Sequence, residues 1–553
     1  MSPLDSSLCG RLVASQVLPL CRGLIRLFAS LALLGFAAES LSAEPRRLIM
    51  GYCGTSLQAA DMEAPIGVDG LVRQSIEPLH GTLVDTVYWQ LNTDPYYGSA
   101  SHHLTDWFSH DTQVGPRWGE GRASFKTAGE WRIYENARQI MATGTDPVRV
   151  VIEHGHRAGL DVFLSLRFND GHDHRLPGGL DDPNMSPMKR KHPEWLLGPT
   201  VGDYSRFAYN FALPEVRRYR MDLVAETIAK YDLDGFDYDF CRWPILFRPG
   251  EGVTGAAVIT ELLRETRDLL QRKSATVGRP LALSVRVPYE LAESKAEGMD
   301  TAAWIKEGIV DVVIVAGRGG SWNFRLPIEQ YTSLAAGTSC QIIAQNLDGR
   351  KWRRPRSAMV LFDEPDYHTT EMHRAVAALH WRAGANGIYI WTQDWMKFVM
   401  DGQFNPQWWK EVGSPNLLSR LDKHYIVGPA GRGGNLPLRL AQPGDLAEVN
   451  VETADDLRAA TERSPRSSAT LRLMVEQLTV RDRITYEFNG TKLDPTTALR
   501  RYNYNDCWLD FDVSHLLRPG ANSLKLRVEA RNPRVGAPLL LRCVDALVHY
   551  DTR

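Results

Sequence analysis

Short apolar runs rich in β-branched and aromatic residues recur along residues 47–395, and segments with helical spacing of leucine and alanine separate them. We predict strands at residues 48–54, 84–92, 161–169, 233–240, 281–289, 310–317, 340–346 and 387–393. Eight strands that alternate with helices are typical of a (β/α)8 TIM barrel, an α/β fold with a closed parallel sheet. The pattern therefore predicts a barrel domain over residues 44–427.

Two of the segments between these strands carry clear helix signals. Leucines recur at helical spacing in residues 260–273, and residues 372–387 end in glycines that suit a helix stop before the last strand. Both segments support the alternation of strand and helix that a barrel requires.

The composition changes after the barrel. Residues 428–437 are rich in glycine and proline and read as a linker. Short alternating apolar runs follow at residues 470–478, 484–493, 507–513, 522–530 and 539–550. Short strands with turn signals and no helices predict an antiparallel β-sandwich over residues 438–553.

The first 43 residues differ from the rest of the chain. Arginines precede an apolar stretch at residues 27–38, and small residues follow near Ala43. This order is typical of a signal peptide, so we expect a secreted or periplasmic protein with no membrane span after the signal is removed. A single membrane anchor is the alternative, but the apolar stretch is shorter than the ~20 residues that a span needs.

Composition and charge exclude several classes. The 553 residues are 43% apolar and 24% charged with a formal net charge of -2, which is ordinary for a globular protein and gives no case for nucleic-acid binding. The seven cysteines are widely spaced and form neither a disulfide framework nor a zinc motif. We expect no cofactor, and whether Cys507 and Cys543 pair stays open.

The candidate chemistry lies in residues 231–244, which read YDLDGFDYDFCRWP. In a barrel the carboxyl ends of the strands form the working face. Alternation along the fourth strand turns its aromatic residues toward the helices and turns Asp237 and Asp239 toward the barrel axis. Asp234 lies at the start of the strand, where a turn or capping role is the favoured interpretation.

The same alternation brings further polar residues inward. In the third strand these are Arg167 and Asn169, in the fifth Arg286 and Glu290, and in the last strand Trp391 shares a face with Tyr389. Carboxylates and arginines from three strands make a polar interior that a barrel does not need for stability alone. We therefore expect the site at these strand ends.

Glycoside hydrolysis uses two carboxyl groups, one ionised and one that holds a proton. Asp239, flanked by Arg167 and Arg242, is expected to stay ionised and to act as nucleophile, or as general base in an inverting enzyme. Glu290, just past the fifth strand, is the candidate acid/base. The alternatives are that Glu290 is a solvated loop residue and that Asp237 only holds an arginine in place.

Polar and aromatic residues near the strand ends are the expected substrate contacts, because flat rings stack on sugar C–H faces and polar groups fix the hydroxyls. They are Asp237, Arg167, Asn169, Asp170, His172, Arg242, Trp243, Arg286, Trp391 and Asp394. Tyr88 also falls at a strand end and is expected on the same rim. Basic loops at residues 188–192 and 350–356 indicate an anionic glycan, sulfated or uronate, as one substrate class. Solvated loop charges are the alternative.

Two other function classes stay open. Asp170, His172 and His174 alternate in one loop and could ligate a divalent metal, as in a metal-dependent hydrolase or deacetylase, although no other histidine cluster recurs at strand ends. We expect no metal and interpret these residues as sugar contacts. A non-catalytic carbohydrate-binding barrel is the second alternative.

The block from Asp234 to Pro244, together with residues 167–174, 186–198 and 298–313, resembles a bacterial glycosyl-hydrolase-like barrel family. The resemblance implies the barrel fold and a carbohydrate substrate. The block is also similar to the fourth strand of amylase-type and galactosidase-type barrels, whose nucleophilic aspartate aligns with Asp239.

The block is similar as well to the chitinase signature Asp-Gly-x-Asp-x-Asp-x-Glu, but Cys241 stands where that signature has its proton-donating glutamate. The resemblance therefore implies that the proton donor comes from another strand. Residues 518–532 resemble the galactose-binding-like jelly rolls attached to many glycosidases, which implies a C-terminal domain that binds glycan or braces the barrel. Together these observations predict a secreted glycoside hydrolase that cleaves a poly- or oligosaccharide.

Overall fold

The computed structural model describes residues 48–52, 67–91, 113–114, 128–169, 171, 178–182, 185–203, 205–241, 245–317, 324–347, 368–391, 406–428, 434–457 and 467–551. Residues 46–553 form one compact unit. In the described part of the chain, no helix is long and apolar enough to cross a membrane.

Eight parallel strands close into a barrel in sequence order. They are β1 (Leu48–Tyr52), β2 (Thr86–Gln90), β3 (Asp161–Arg167), β4 (Gly235–Asp239), β5 (Ala282–Pro288), β6 (Val312–Ala316), β7 (Gln341–Gln345) and β8 (Gly387–Trp391). Each lies within one of the strands predicted from the apolar runs, and β8 pairs with β1 to close the sheet. The predicted TIM barrel is confirmed.

Helices lie between the strands. They are α1 (Gly67–Ser75), α2 (Ala128–Ala142), α3 (Pro147–Arg157), α4 (Pro187–Lys191), α5 (Pro214–Lys230), α6 (Gly252–Val277), α7 (Leu291–Ala296), α8 (Thr301–Lys306), α9 (Ile328–Ala335), α10 (Thr370–Arg382) and α11 (Pro415–Leu418). Short 3₁₀ turns cover Glu77–Leu79, Gly179–Asp181, Pro193–Trp195, Pro199–Val201 and Pro406–Lys410. Helix α10 ends before Gly384, whose positive φ of 87° suits the predicted glycine stop.

The apolar side chains of the barrel form two layers, one between the strands and the helices and one inside the barrel. Outward residues such as Leu164, Tyr238 and Val285 join the large core beneath the helices, whereas Phe163 and Tyr389 belong to a smaller cluster inside the barrel. The aromatic rings inside the barrel require a small residue beside them. A Cβ on Gly235 would lie 2.2 Å from the ring of Phe163, so only a glycine at the start of the fourth strand leaves room for this ring.

The C-terminal region consists of two antiparallel sheets around one apolar core. One sheet contains β10 (Leu438–Leu440), β18 (Leu539–His549), β12 (Ser468–Glu476), β16 (Asp506–Asp512) and β15 (Leu499–Asn503), and β9 (Lys423–Ile426) pairs with β18. The other contains β11 (Leu446–Thr453), β17 (Gly520–Ala530), β13 (Arg483–Phe488) and β14 (Thr491–Leu493). The antiparallel arrangement predicted from the alternating runs is confirmed.

The last barrel helix joins the two regions. Ala375 and Leu379 of α10 belong to the apolar core of the C-terminal sheets, and Arg325, just before α9, forms an ion pair with Glu452 of β11 at 2.8 Å. Strand β9 precedes the expected linker yet pairs with the final strand. Cys507 and Cys543 are both buried, and no disulfide bond joins them in this structure.

Candidate active site at the carboxyl ends of the strands

Five barrel strands each end in a buried polar or aromatic residue that is not part of the core beneath the helices. These residues are Gln90 of β2, Arg167 of β3, Asp239 of β4, Gln345 of β7 and Trp391 of β8. Arg286 of β5 is level with Asp239 in the strand register and is also buried. Because all strands of a parallel barrel end at the same face, the six side chains form one polar layer beneath the mouth of the barrel.

Asp239 is the centre of this layer. Arg286 donates from Nη1 to both carboxylate oxygens at 3.0 and 2.9 Å, and the backbone N–H of Cys241 donates to Oδ1 at 2.9 Å. The Nε of Arg167 lies 3.7 Å from Oδ2. Two cations and a backbone donor therefore offset the desolvation of a carboxylate that is only 1% exposed.

Two glutamines extend this contact chain. Arg286 donates from Nε to Oε1 of Gln345 at 2.8 Å, and Arg167 donates from Nη2 to Oε1 of Gln90 at 3.5 Å. Gln90, Arg167, Asp239, Arg286 and Gln345 thus follow one another in contact from β2 to β7. We call these five residues the polar arc.

Trp391 covers the polar arc from the side of β8. Its ring lies 4.4 Å from the guanidinium carbon of Arg286 and 5.5 Å from that of Arg167. Tyr389, two residues earlier, lies 5.5 Å from Arg286 and stacks on Trp391. The aromatic faces supply cation–π attraction that keeps both guanidinium groups in place away from water.

Asp237 lies one inward step below Asp239 on the same strand and is 1% exposed. Ser165 donates its hydroxyl to Oδ2 of Asp237 at 2.6 Å. Burial, and then the negative charge of Asp239, raise the pKa of Asp237 to about 7. The layer therefore contains one carboxylate held by arginine and one carboxyl group that exchanges a proton near neutral pH.

Glu290 lies beyond the strand end, at the position preceding α7, and is partly exposed. It follows the register partner of Asp239, Arg286, by four residues. An extended chain would carry it about 13 Å further along the strand direction at ~3.3 Å per residue. The backbone must therefore turn back over the barrel mouth for the two carboxyl groups to face one substrate bond.

Asn169 uses its whole amide to hold backbone. Its Nδ2 donates to the carbonyls of Tyr209 and Ile245 at 2.8 and 2.6 Å, and its Oδ1 accepts from the N–H of Tyr209 at 2.9 Å. The residue fixes the segments that follow β3 and β4 next to each other. This geometry gives it a positioning role at the site.

Asp234 lies at the opposite end of β4, where the sequence favours a turn or cap. Its Oδ2 accepts from the N–H of Val162 at 2.7 Å and contacts Nε2 of His156 at 2.8 Å. Its Oδ1 accepts from Arg279 at 2.5 Å. Asp234 thus ties the start of two strands together, far from the polar arc.

The remaining expected site residues, Asp170, His172, His174, Arg242, Trp243 and Asp394, lie outside the described residues. Within the described ranges, no group of three or more His, Cys, Asp or Glu residues could hold a metal ion.

Sequence reasoning missed both glutamines and misplaced one aromatic. Gln90 and Gln345 end their strands at inward positions, which is the signal that could have identified them. Tyr88, expected on the rim, instead stacks on Phe163 at 4.6 Å inside the barrel and is fully buried. Its ring lies one inward step deeper than Gln90, so it fills the barrel core.

Comparison with solved structures gives distant likenesses. A cycloisomaltooligosaccharide glucanotransferase from Paenibacillus sp. is 10% identical with a TM-score of 0.30, over 91% of this chain and 58% of that one. A GH18 chitinase from Chromobacterium violaceum is 11% identical with a TM-score of 0.35, over 91% of both chains. An alpha-amylase from Anoxybacillus is 10% identical with a TM-score of 0.36, over 88% of this chain and 99% of that one.

Sequence comparison gives one family. No curated protein matches the chain. Residues 113–244, which are less than half of the chain, match the model of the family described as Glycosyl hydrolase-like 10. This segment includes β3, β4 and the block from Asp234 to Pro244, so the glycosyl-hydrolase-like resemblance expected from those residues is confirmed there.

Proposed function

We propose that the chain is a glycoside hydrolase that cleaves a poly- or oligosaccharide at the carboxyl end of its barrel. The observation that carries the proposal is the buried Asp239, held against two arginines at the end of β4 in the segment that matches the family model. Strand ends of this kind are where barrel enzymes place their catalytic groups.

Asp239 is the proposed nucleophile, or the general base that activates water in an inverting reaction. In the retaining form, an Asp239 oxygen bonds the anomeric carbon while the leaving oxygen takes a proton from Glu290; water then displaces Asp239 and returns a proton to Glu290. In the inverting form, water attacks the anomeric carbon directly and gives a proton to Asp239, while Glu290 gives its proton to the leaving oxygen. The distance between the two carboxyl groups decides which form applies.

The residue after Phe240, Cys241, supports our proposal that the acid comes from another strand. Its side chain is buried and its backbone N–H binds Asp239, so this position offers no carboxyl group to a leaving oxygen. Glu290 lies beyond β5 and is partly exposed, with its Oε2 atom buried, and we propose it as that acid.

One observation favours a second candidate, a non-catalytic carbohydrate-binding barrel. Arg286 occupies both oxygens of Asp239 from one nitrogen, and a carboxylate with both oxygens bonded is a weaker nucleophile. Attack on a sugar would require one of these contacts to lengthen. Without that movement, the polar arc would bind a sugar and leave its linkage intact.

The finer parts of the proposal concern substrate and location. We propose export directed by residues 1–43, a barrel domain over 44–427 and a β-sandwich over 438–553. An anionic glycan remains a proposed substrate class, but the basic segment at 188–192, expected as a loop, supports it only weakly. Its residues up to Lys191 belong to helix α4. Its Lys189 is buried with Nζ 5.0 Å from the ring of Tyr209, which leaves Arg190 and Lys191 as the exposed cations.

The test is an activity screen of the purified protein on neutral, uronate-containing and sulfated polysaccharides, with product analysis. We expect new reducing ends from at least one substrate and a loss of at least about 10³-fold in the Asp239→Asn variant, because the attacking group is gone. Glu290→Gln should lose activity in the same way, because the amide cannot supply the proton, and it keeps the size of the side chain.

Asp232→Asn is the matched control, because its side chain is 67% exposed at the other end of β4. It should retain full activity. Circular dichroism and thermal melting must show that each variant is folded. Hydrolysis by folded Asp239→Asn at the wild-type rate would exclude the proposed role, and a wild-type protein that binds sugars but releases no product would favour the non-catalytic candidate.

A further inference from the structure

Apart from Nε of Arg167, which faces Asp239 at 3.7 Å, three buried nitrogen donors of the polar arc have no hydrogen-bond partner among the described residues. They are Nε2 of Gln90, Nη2 of Arg286 and Nε2 of Gln345. Their side chains are 0 to 2% exposed. Buried donors are normally satisfied, so an acceptor outside the chain, a water or a ligand oxygen, is expected to meet them.

The chemistry of the arc fixes these atoms as donors. A guanidinium group cannot accept a hydrogen bond. The Oε1 of Gln345 must face Arg286 Nε, since only the oxygen of the amide can accept, and the NH₂ group of Gln345 is therefore turned away from Arg286. The same logic assigns the oxygen of Gln90 to Arg167.

Charge adds to this donor surplus. The layer contains two arginines, Asp239 and the deeper Asp237. The carboxyl group of Asp237, with a pKa of about 7, is partly protonated and partly ionised near neutral pH. The net charge of the layer is thus zero or positive. The layer also has a buried acceptor without a hydrogen-bond partner, Oδ1 of Asp237, so these three donors outnumber it. An anion brings acceptors only and fits this surplus better than a neutral hydroxyl, which also brings a proton.

We propose that the polar arc binds an oxyanion carried by a sugar, a carboxylate or a sulfate ester, through the free donors of Gln90, Arg286 and Gln345. The inference rests on the proposed carbohydrate function and narrows its substrate class. It assigns the anion to the buried strand ends, and not to the basic loops. Gln90 and Gln345 become specificity-determining residues that hold two arginines with their oxygens and the ligand with their nitrogens.

The test measures binding without turnover. Isothermal titration calorimetry compares glucuronate, glucose 6-sulfate and glucose as probes of the full chain. We expect at least one of the two anionic sugars to bind at least tenfold more tightly than glucose, and the one that does so identifies the anion. Equal affinity for all three probes, or no binding of either anionic sugar, would overturn the proposal.

Two near-isosteric variants test the residues. Gln345→Glu and Gln90→Glu keep an oxygen for Arg286 or Arg167 but replace the free donor with a second carboxylate oxygen, so each should weaken binding of the anionic sugar at least tenfold. Gln341→Glu is the matched control, since Gln341 lies on the same strand at the opposite end of the barrel. It should leave the affinity unchanged.

The result is independent of hydrolysis. If folded Gln345→Glu and Gln90→Glu bind the anionic sugar as the wild type does, the inference fails even when the enzyme cleaves a neutral glycan. If the wild type binds the anionic sugar and the variants do not, the inference stands even when no polysaccharide is cleaved, and the glycosidase proposal alone falls.

Discussion

The polar arc of the barrel and the buried cluster around Asp455 in the C-terminal region both hold an aspartate against a cation, but only the second cluster closes on itself. Asp455 accepts from Nζ of Lys423 at 2.7 Å and from the hydroxyls of Tyr425 and Tyr550 at 2.5 and 2.6 Å. Lys423 also donates to the carbonyl of Leu421 at 2.9 Å. Every bond in this cluster ends on the chain itself.

The difference separates a structural use of buried charge from the binding use that we propose. A closed cluster fixes β9 against the end of β18 and gains nothing from a ligand. The polar arc also pairs an aspartate with cations, yet one donor each of Gln90, Arg286 and Gln345 has no hydrogen-bond partner there, at the face where barrel enzymes react. Buried charge by itself is therefore weak evidence for a site, whereas buried charge with unsatisfied donors is stronger evidence.

The largest expected effect breaks the closed cluster. Asp455→Ala leaves Lys423 buried without its counter-ion and two tyrosine hydroxyls without their acceptor, so it should reduce the free energy of unfolding by about 3–5 kcal/mol. Urea denaturation followed by fluorescence measures the loss. Activity per folded molecule should not change, because the cluster lies outside the polar arc.

Glu448→Ala is the control for this change. Its side chain is 57% exposed and lies 3.4 Å from Lys525 on a sheet surface. Removing an exposed ion pair should cost less than about 1 kcal/mol. If Asp455→Ala were as mild as Glu448→Ala, the cluster would not stabilise the region as its contacts indicate.

A second prediction uses the titration of Asp237. Its pKa rises from 3.8 to about 7 in the folded protein, so the folded state holds the proton more tightly than the unfolded chain. Its contribution to stability is complete below pH 3.8 and is lost as the pH rises through 7. Asp239, Arg286, Ser165 and Ser284 are the charged and polar groups that act on it.

Asp237→Asn removes this titration and keeps the shape of the side chain. Between pH 5 and pH 8 the wild type should lose about 2–3 kcal/mol of unfolding free energy relative to the variant, at ~1.4 kcal/mol per pKa unit. Urea denaturation at both pH values gives the two differences. Parallel pH curves for the two proteins would show that Asp237 does not carry the shifted proton.

Alternation along the chain was enough to predict much of this architecture. The barrel strands were found because apolar runs alternate with helices, and Asp237, Asp239, Arg167 and Arg286 were turned inward by strand parity alone. Strand β11 was missed although Ala447, Val449 and Val451 alternate clearly. Strand β15 was missed for a physical reason, since most of its residues are exposed and carry no apolar alternation.

The contacts within the polar arc could not be predicted in the same way. Gln90 pairs in register with Ser165, and Arg167 with Asp239, so the stagger of the strands decides which side chains share a level. The sequence does not state that stagger. The pKa of Asp237 likewise depends on how completely the neighbouring strands bury it, and the bond between Cys241 N–H and Asp239 depends on how the chain leaves β4.

The smallest expected effect sharpens the contrast between buried and exposed cations. Arg190→Ala and Lys191→Ala remove exposed charges from helix α4, which follows β3 in the chain. Exposed charges are screened by water and salt, so each change should alter the affinity for an anionic sugar by no more than about threefold. Calorimetry at low and high salt measures the affinity, with Gln345→Glu as the reference for a large effect.

The opposite result would be that the Arg190 and Lys191 variants weaken binding as much as Gln345→Glu does, and that this loss of affinity disappears at high salt. The anion would then be held at the rim. Recognition would then be a long-range attraction to the surface, and the open donors of the polar arc would serve water instead of substrate.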